Sequence, residues 1–163
     1  MSVFLSDNEI ADLLAEAKTL PADWPTRLTL RPKRGHKERE LDLAGEKGSR
    51  FRLILRQADL NQLDFSVILA LLAPNTNQVF RLLRCNGKSH EHTNRIEQET
   101  FYDFHVHRAT ERYQQDGCPE DGYAEVTTEY ADFAGALDTV LSRGGFVRPK
   151  SDQLGLFDGG KSS

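Results

Sequence analysis

The sequence is poor in cysteine and has no long apolar run. Cys85 and Cys118 are its two cysteines, and neither belongs to a CxxC pair. The chain also lacks a signal-peptide pattern and any apolar run near the roughly 18 residues of a membrane-spanning helix. We therefore predict a reduced, soluble, cytoplasmic protein without a membrane partner, in which both cysteines are packing residues.

Familiar catalytic and cofactor motifs are missing as well. The sequence contains no Walker-type phosphate loop, GxSxG elbow, dinucleotide fingerprint or HExxH pair. No internal repeat or second domain is visible in the 163 residues, a length typical of one domain with a tail. We therefore predict no cofactor and assign no metal site from motifs.

Charge is unevenly distributed along the chain. The net charge of −4 excludes a uniformly basic protein that coats nucleic acid. Residues 27–56 nevertheless carry ten Lys and Arg against four acidic residues, and residues 111–138 carry eight acidic residues against one Arg. Such segregation would allow local contact with DNA through residues 27–56. The alternative is that the two segments are neighbours in space and largely cancel.

The hydrophobic pattern predicts an α+β fold. Ser6-Asp7-Asn8-Glu9 is a capping box, and apolar residues at helical spacing follow it until Pro21. The period then becomes two around residues 28–30, 40–43 and 50–55, which is typical of antiparallel strands with one solvated face. Later segments predict a buried strand, two further strands and an amphipathic helix, at residues 64–72, 79–84, 101–107 and 130–143.

These elements assemble into one predicted domain. Gly144-Gly145 ends the last helix. We expect a single α+β domain over residues 1–147, with an antiparallel sheet of five or six strands flanked by an N-terminal and a C-terminal helix. Residues 148–163 are expected to form a flexible tail.

Four of the five histidines form two His-x-His pairs, His90 with His92 and His105 with His107. Because residues i and i+2 of a strand face the same side, Asp103, His105 and His107 would share one face and are the candidate catalytic residues. That face could bind zinc, iron or manganese. It could equally run metal-free acid–base chemistry on a phosphodiester, with one neutral and one protonated imidazole. It could also be only the solvated side of a half-buried sheet. His90 and His92 are expected in a loop.

An apolar island lies near the C-terminus. Gln153-Leu154-Gly155-Leu156-Phe157 is flanked by 148–152 and 158–163, which are polar and rich in structure-breaking residues. Such an island is typical of a short linear motif that becomes ordered on a partner. The related stretch Gln62-Leu63-Asp64-Phe65 runs into a predicted strand, so it is not expected to act as a free peptide.

The island resembles the peptide by which bacterial proteins dock on the β sliding clamp of DNA polymerase III. Its usual form is glutamine, leucine, a small or acidic residue, leucine and phenylalanine. The resemblance implies that Gln153 hydrogen-bonds the rim of the clamp groove, that Leu154 fixes the turn of the peptide, and that Leu156 and Phe157 fill the hydrophobic pocket. Gly155 stands where Ser or Asp is more usual, and it adds a backbone entropy cost on binding. The body resembles small bacterial and phage proteins, which implies no activity.

The leading expectation is therefore a clamp-binding protein that modulates DNA replication or repair. It would bring a DNA-handling domain to the fork, or occupy the clamp groove as a replication-inhibiting toxin, phage factor or regulator. The alternative is a nuclease or other hydrolase centred on His105 and His107, which the tail could tether to the clamp. A third possibility is a regulatory protein that binds another chain through the helix at 130–143.

Overall fold

A seven-stranded antiparallel sheet organises residues 3–149, the part of the chain that this computed structural model describes. The strands are β1 (Lys18–Thr19), β2 (Arg31–Lys33), β3 (His36–Ala44), β4 (Arg50–Ala58), β5 (Phe65–Leu72), β6 (Val79–Asn86), β7 (His92–Asn94), β8 (Glu99–Phe101), β9 (His105–Arg108), β10 (Tyr123–Val126) and β11 (Phe146–Val147). The helices are α1 (Asp7–Ala15), α2 (Trp24–Arg27), α3 (Glu111–Gln115) and α4 (Phe133–Arg143). The main sheet has the order β10-β9-β6-β5-β4-β3-β2, while β7-β8 and β1-β11 form separate pairs. The predicted α+β class is confirmed, although the main sheet has more strands than expected.

The long strands follow the predicted alternation because one face of the sheet carries the core. Leu41 on β3, Leu53 on β4 and Leu69 on β5 are paired in register and buried. The nearly continuous apolar sequence of β5 fits its position in the middle of the sheet. The buried side chains of these strands are Leu41, Leu43, Phe51, Leu53, Leu55, Phe65, Val67, Leu69, Ala70 and Leu71.

Helices α1 and α4 also contribute to the core. The capping box is present: Ser6 Oγ accepts from Glu9 N at 3.1 Å, and Glu9 Oε1 accepts from Ser6 N at 2.9 Å. Ile10 of α1 is buried in the core, and α4 packs on β5 and β6. The apolar face of α4 is therefore occupied by its own sheet. Among residues 3–149, no helix has the length and hydropathy needed to cross a bilayer.

Two predicted strands have the wrong bounds. Residues 28–30 are not a strand, because Pro25 lies in the first turn of the short helix α2 and β2 begins only at Arg31. The strand predicted at 101–107 is interrupted at residues 102–104, so that β8 and β9 are separate.

The basic and acidic segments do not neutralise each other. Residues 27–56 include β2, β3 and β4 at one end of the main sheet, whereas β10, from the acidic segment 111–138, forms the opposite edge. Within residues 3–149, no ion pair joins the two segments. Charge is thus segregated across the molecule.

A buried lysine joins the two ends of the described chain. Lys18 lies on β1, which pairs in parallel with β11. Its Nζ donates to the carbonyl oxygens of Leu13 at 2.7 Å, Glu16 at 2.7 Å and Gly144 at 2.6 Å. The ammonium also lies 4.3 Å from the centre of the Phe51 ring. Lys18 therefore supplies hydrogen bonds to the C-terminal ends of both α1 and α4, where carbonyl groups lack helical partners.

The edge strand β2 consists of Arg31, Pro32 and Lys33, and all three are exposed. Among residues 3–149, its one partner strand is β3. Proline has no amide N–H to offer along such an edge.

Candidate functional site

The sheet face opposite the core carries two rows of side chains that cross the strands, and the first row is mostly polar. Residues paired in an antiparallel register share a face, with Cβ atoms about 5 Å apart. One row, from β4 to β10, comprises Arg56, Ser66, Asn86, His105 and Val126. The next row comprises Ile54, Ile68, Arg84, His107 and Ala124. Arg84 therefore lies beside His107, and Asn86 lies beside His105.

The hairpin β7–β8 brings a third histidine to this face. His92, expected in a loop, opens β7. Its ring centre lies 5.4 Å from that of His105 and 4.6 Å from that of His107. One ring nitrogen of each histidine lies within 4.8 Å of one from each of the others. Sequence reasoning missed His92 as a partner of His105 and His107, since its His-x-His spacing does not reveal where the hairpin folds.

Asn94 attaches this hairpin to the main sheet. Its Nδ2 donates to the carbonyl of Ala124 at 2.8 Å, and its Oδ1 accepts from the Ala124 amide at 2.9 Å. Because β10 is an edge strand, the side-chain amide provides partners for backbone groups that point away from the sheet. Asn94 Oδ1 also lies 2.9 Å from His92 Nε2, so the same side chain orients that imidazole.

Each imidazole of the cluster has one nitrogen bonded to a backbone carbonyl. The pairs are His92 Nε2 with Gly122 O at 3.1 Å, His105 Nδ1 with Asp103 O at 2.7 Å, and His107 Nδ1 with Asp121 O at 2.8 Å. A carbonyl oxygen only accepts hydrogen bonds, so each of these nitrogens carries the hydrogen. The second nitrogen of each neutral ring then keeps its lone pair.

Gly122 is required by the packing of this loop. A Cβ atom at this position would lie 2.8 Å from the ring of Tyr113 and 3.2 Å from the carbonyl of Pro119. Absence of a side chain therefore lets two consecutive carbonyls, those of Asp121 and Gly122, reach His107 and His92.

The structure separates the three predicted catalytic residues. His105 and His107 are only 4% and 3% exposed, and they lie in contact with each other, their ring centres 4.9 Å apart. The Asp103 side chain is 52% exposed, and its carboxylate lies 3.8 Å from Lys88 Nζ. Asp103 therefore serves the cluster through its backbone carbonyl. His105 and His107 therefore do not simply lie on the solvated side of a half-buried sheet.

Burial lowers the pKa of both histidines on β9. Desolvation is the main cause of the lowered pKa of His105. The pKa of His107 falls to about 2, mainly through desolvation and further through the positive charge of Arg84. Both rings are thus neutral at pH 7, which gives no support to the scheme in which one of this pair is protonated.

A loosely paired arginine and aspartate lie next to the histidines. Arg84 Nε is 3.5 Å from Asp121 Oδ2, and Arg81 Nη2 is 3.6 Å from Asp121 Oδ1. Arg84 Nε and Asp121 Oδ2 are buried, yet neither makes a hydrogen bond within residues 3–149. Burial raises the pKa of Asp121, while the two arginines oppose that shift. Arg84 Nε therefore has hydrogen-bonding capacity left for a ligand. A bond to such a ligand would be favourable, because a buried donor without a hydrogen bond is costly.

These groups line a cavity of about 500 Å³ between the hairpin, the loop at 116–122 and the main sheet. Arg56, Arg95 and Asn86 also line it. Neither Arg56 nor Arg95 takes part in an ion pair within the described part of the chain. The cavity therefore combines imidazoles and guanidinium groups with the acidic side chains of Asp64, Glu91 and Asp121.

The predicted clamp-binding residues Gln153, Leu154, Leu156 and Phe157 lie outside the described residues. The related stretch at 62–65 ends on Phe65, which is buried at the start of β5, as its assignment to a strand required.

Comparison of the chain with protein-family models, with curated proteins and with solved structures gives no match. Function therefore has to follow from the chemistry of the cavity and from the tail sequence.

Proposed function

We propose that this protein is a hydrolase of phosphate esters, with nucleic acid as its substrate, and that the reaction takes place in the cavity at His105 and His107. The position of Arg84 carries the proposal. Its side chain is 24% exposed and lies beside His107 in register, while its buried Nε lies 3.5 Å from Asp121 Oδ2 and makes no hydrogen bond within the described residues. A guanidinium donates readily to phosphate oxygens, and the cavity lining has four arginines against three acidic residues, although the whole chain has a net charge of −4.

The length of the polar row favours a polymeric substrate. From His105 to Arg56 the row crosses β9, β6, β5 and β4. Three strand spacings correspond to about 14 Å. A single phosphate would occupy only part of that length, whereas successive phosphates of a nucleic acid strand could contact both ends.

The side chains divide the work of hydrolysis between them. His105 Nδ1 carries the hydrogen, so its Nε2 has the lone pair needed to accept a proton from an attacking water. Arg84 stabilises the negative charge that develops on the phosphoryl oxygens. The carbonyls of Asp103 and Asp121 fix the orientation of the two rings.

The proposal is tested by assaying the purified protein on single-stranded DNA, RNA and bis(p-nitrophenyl) phosphate. Hydrolysis by the wild type is expected, and Arg84→Gln and His105→Gln should each lower kcat/KM by about 100-fold. Arg108→Gln is the matched control, because this arginine lies on β9, the strand of His105, and its side chain is 53% exposed. Circular dichroism and denaturant unfolding of each variant verify that the fold is kept. Wild-type protein inert on all three substrates, or an Arg84→Gln variant as active as the control, would contradict the proposal.

A second proposal concerns where the protein acts. We propose that it docks on the β sliding clamp through residues 153–157 and thereby modulates DNA replication or repair. The supporting observation is the sequence itself, in which Gln153, Leu154, Leu156 and Phe157 match the clamp-binding pattern. Burial of two such large apolar side chains would contribute about 3–6 kcal/mol gross. Ordering of the peptide offsets part of this, so micromolar affinity is expected.

Clamp docking is tested by surface plasmon resonance on immobilised clamp. Leu156→Ala with Phe157→Ala should weaken binding by about 30-fold or more, equivalent to about 2 kcal/mol. Leu60→Ala with Leu63→Ala is the control, since both of these leucines are exposed on the body. Equal affinity of the two double variants would show that the tail is not the docking peptide.

A further inference from the structure

The three histidines of the cluster come from two separate parts of the fold. His105 and His107 lie on the same face of β9, and His92 approaches that face from the hairpin β7–β8. A separation of no more than 4.8 Å between one nitrogen of each ring leaves room for a shared ion and for little else. Tetrahedral zinc with ligand distances of about 2.0–2.1 Å places neighbouring nitrogens roughly 3.3–3.4 Å apart. Small rotations of the rings would therefore complete the site.

The hydrogen bonds around the cluster have the form found around metal-bound histidines. A ligating histidine donates its other ring N–H to a carbonyl or carboxylate, which fixes the tautomer and the ring orientation. All three rings here make such a bond to a backbone carbonyl. The nitrogens left with lone pairs are His92 Nδ1, His105 Nε2 and His107 Nε2, and none of them makes a hydrogen bond within residues 3–149.

We infer that His92, His105 and His107 bind one divalent transition-metal ion, with zinc the best match, and leave a coordination position open to the cavity. Three imidazole ligands with an open position suit catalytic zinc, while calcium and magnesium prefer oxygen ligands. Imidazole with a free ring nitrogen is the form that ligates a metal.

An ion at this position would face the guanidinium of Arg84 across the cavity. With the ion bound, His105 Nε2 would be a ligand and could not accept a proton. The open coordination position would instead hold the attacking water, whose pKa the metal would lower towards neutrality. Arg84 would then hold the phosphate near that water. The role of the ion rests on the proposed hydrolase function, whereas its binding does not.

Metal content of the full-length protein, freed of any polyhistidine tag, tests the inference. After loading with zinc and removal of free metal, wild-type protein should hold about one zinc ion per chain by plasma mass spectrometry. Loss of an outer hydrogen-bond partner lowers metal affinity by roughly 10–100-fold. Each variant that removes a ligand should lower the zinc affinity by more than that; these variants are His92→Ala, His105→Ala and His107→Ala. His90→Ala is the matched control, because His90 lines the same cavity without belonging to the cluster.

A second measurement covers variants that fold poorly. Thermal unfolding of the wild type should shift upwards on addition of zinc and downwards with a chelator, and the visible spectrum of the cobalt-loaded protein should report a low-coordinate site. A wild-type protein that retains no zinc or cobalt overturns the inference, as does a His107→Ala variant that binds as tightly as the His90→Ala control. If zinc binds and no ester is cleaved, the metal site stands and the hydrolase proposal fails. If the protein cleaves esters but retains neither zinc nor cobalt, the hydrolase proposal stands and the metal inference fails.

Discussion

Replacement of Lys18 by methionine is expected to lower the free energy of unfolding by about 3–5 kcal/mol at neutral pH. Methionine keeps the apolar length of the side chain but removes the ammonium that donates to the carbonyls of Leu13, Glu16 and Gly144. Those oxygens would then be buried without a donor. A loss of this size multiplies the unfolding equilibrium constant by more than about 100-fold.

The same substitution should also remove a pH dependence of the free energy of unfolding. Burial lowers the pKa of Lys18 from 10.5 to about 8, while Glu16 acts in the opposite direction. Between those two values the unfolded chain holds the proton and the folded chain does not, so the contribution of Lys18 to stability rises as pH increases. Urea unfolding at several pH values should show this rise in the wild type and not in Lys18→Met.

Lys47→Met is the control for both effects, since the Lys47 side chain is exposed. It should change the free energy of unfolding by no more than about 0.5 kcal/mol. A Lys18→Met variant as stable as this control would mean that the carbonyl groups find other partners.

Replacement of Asn94 by alanine is expected to cost about 3 kcal/mol and to loosen the histidine cluster. Both backbone groups of Ala124 that bond to the Asn94 side chain lie in a buried environment and would lose their partner. His92 would at the same time lose one of the two acceptors of its Nε2 hydrogen and keep only the Gly122 carbonyl. We therefore expect zinc affinity to fall by about 10–100-fold, as for other outer hydrogen-bond partners.

Thr93→Ala provides the comparison on the same strand. The Thr93 side chain is exposed, and its hydroxyl bonds that of Thr100 across the hairpin, at 2.9 Å. Denaturant unfolding should separate the two variants by at least about 2 kcal/mol. Hydrogen exchange at the Ala124 amide should accelerate in Asn94→Ala alone, and a protected Ala124 amide in that variant would refute the role assigned to Asn94.

The helices and strands that depend on local sequence pattern were predictable from the sequence. The capping box at Ser6 and Glu9 marks α1 because both hydrogen-bonding partners lie within one turn. The alternation of β3 and β4 and the apolar run of β5 follow from which face each strand buries. The end of α4 at Gly144 is likewise a local signal.

The site itself was predictable only in part. The spacing of His105 and His107 places both on one face of β9, so the sequence identifies two members of the cluster. His92 joins them through the hairpin, whose position depends on the bond between Asn94 and Ala124, 30 residues apart in the chain. Burial of Lys18 against Gly144 depends in the same way on a distant contact, with a sequence separation of 126. Such contacts leave no periodic trace in the sequence, so propensity and pattern cannot find them.

The strand β2 makes one edge of the main sheet a poor template for a second copy of this protein. A second copy that tried to continue the sheet past Arg31, Pro32 and Lys33 would find a gap in the row of amide donors and two cations facing its own. This side of the molecule therefore resists growth into a filament. A foreign strand that did add there would need acidic side chains opposite the two cations. It would also need a register in which none of its carbonyl groups requires an N–H from Pro32.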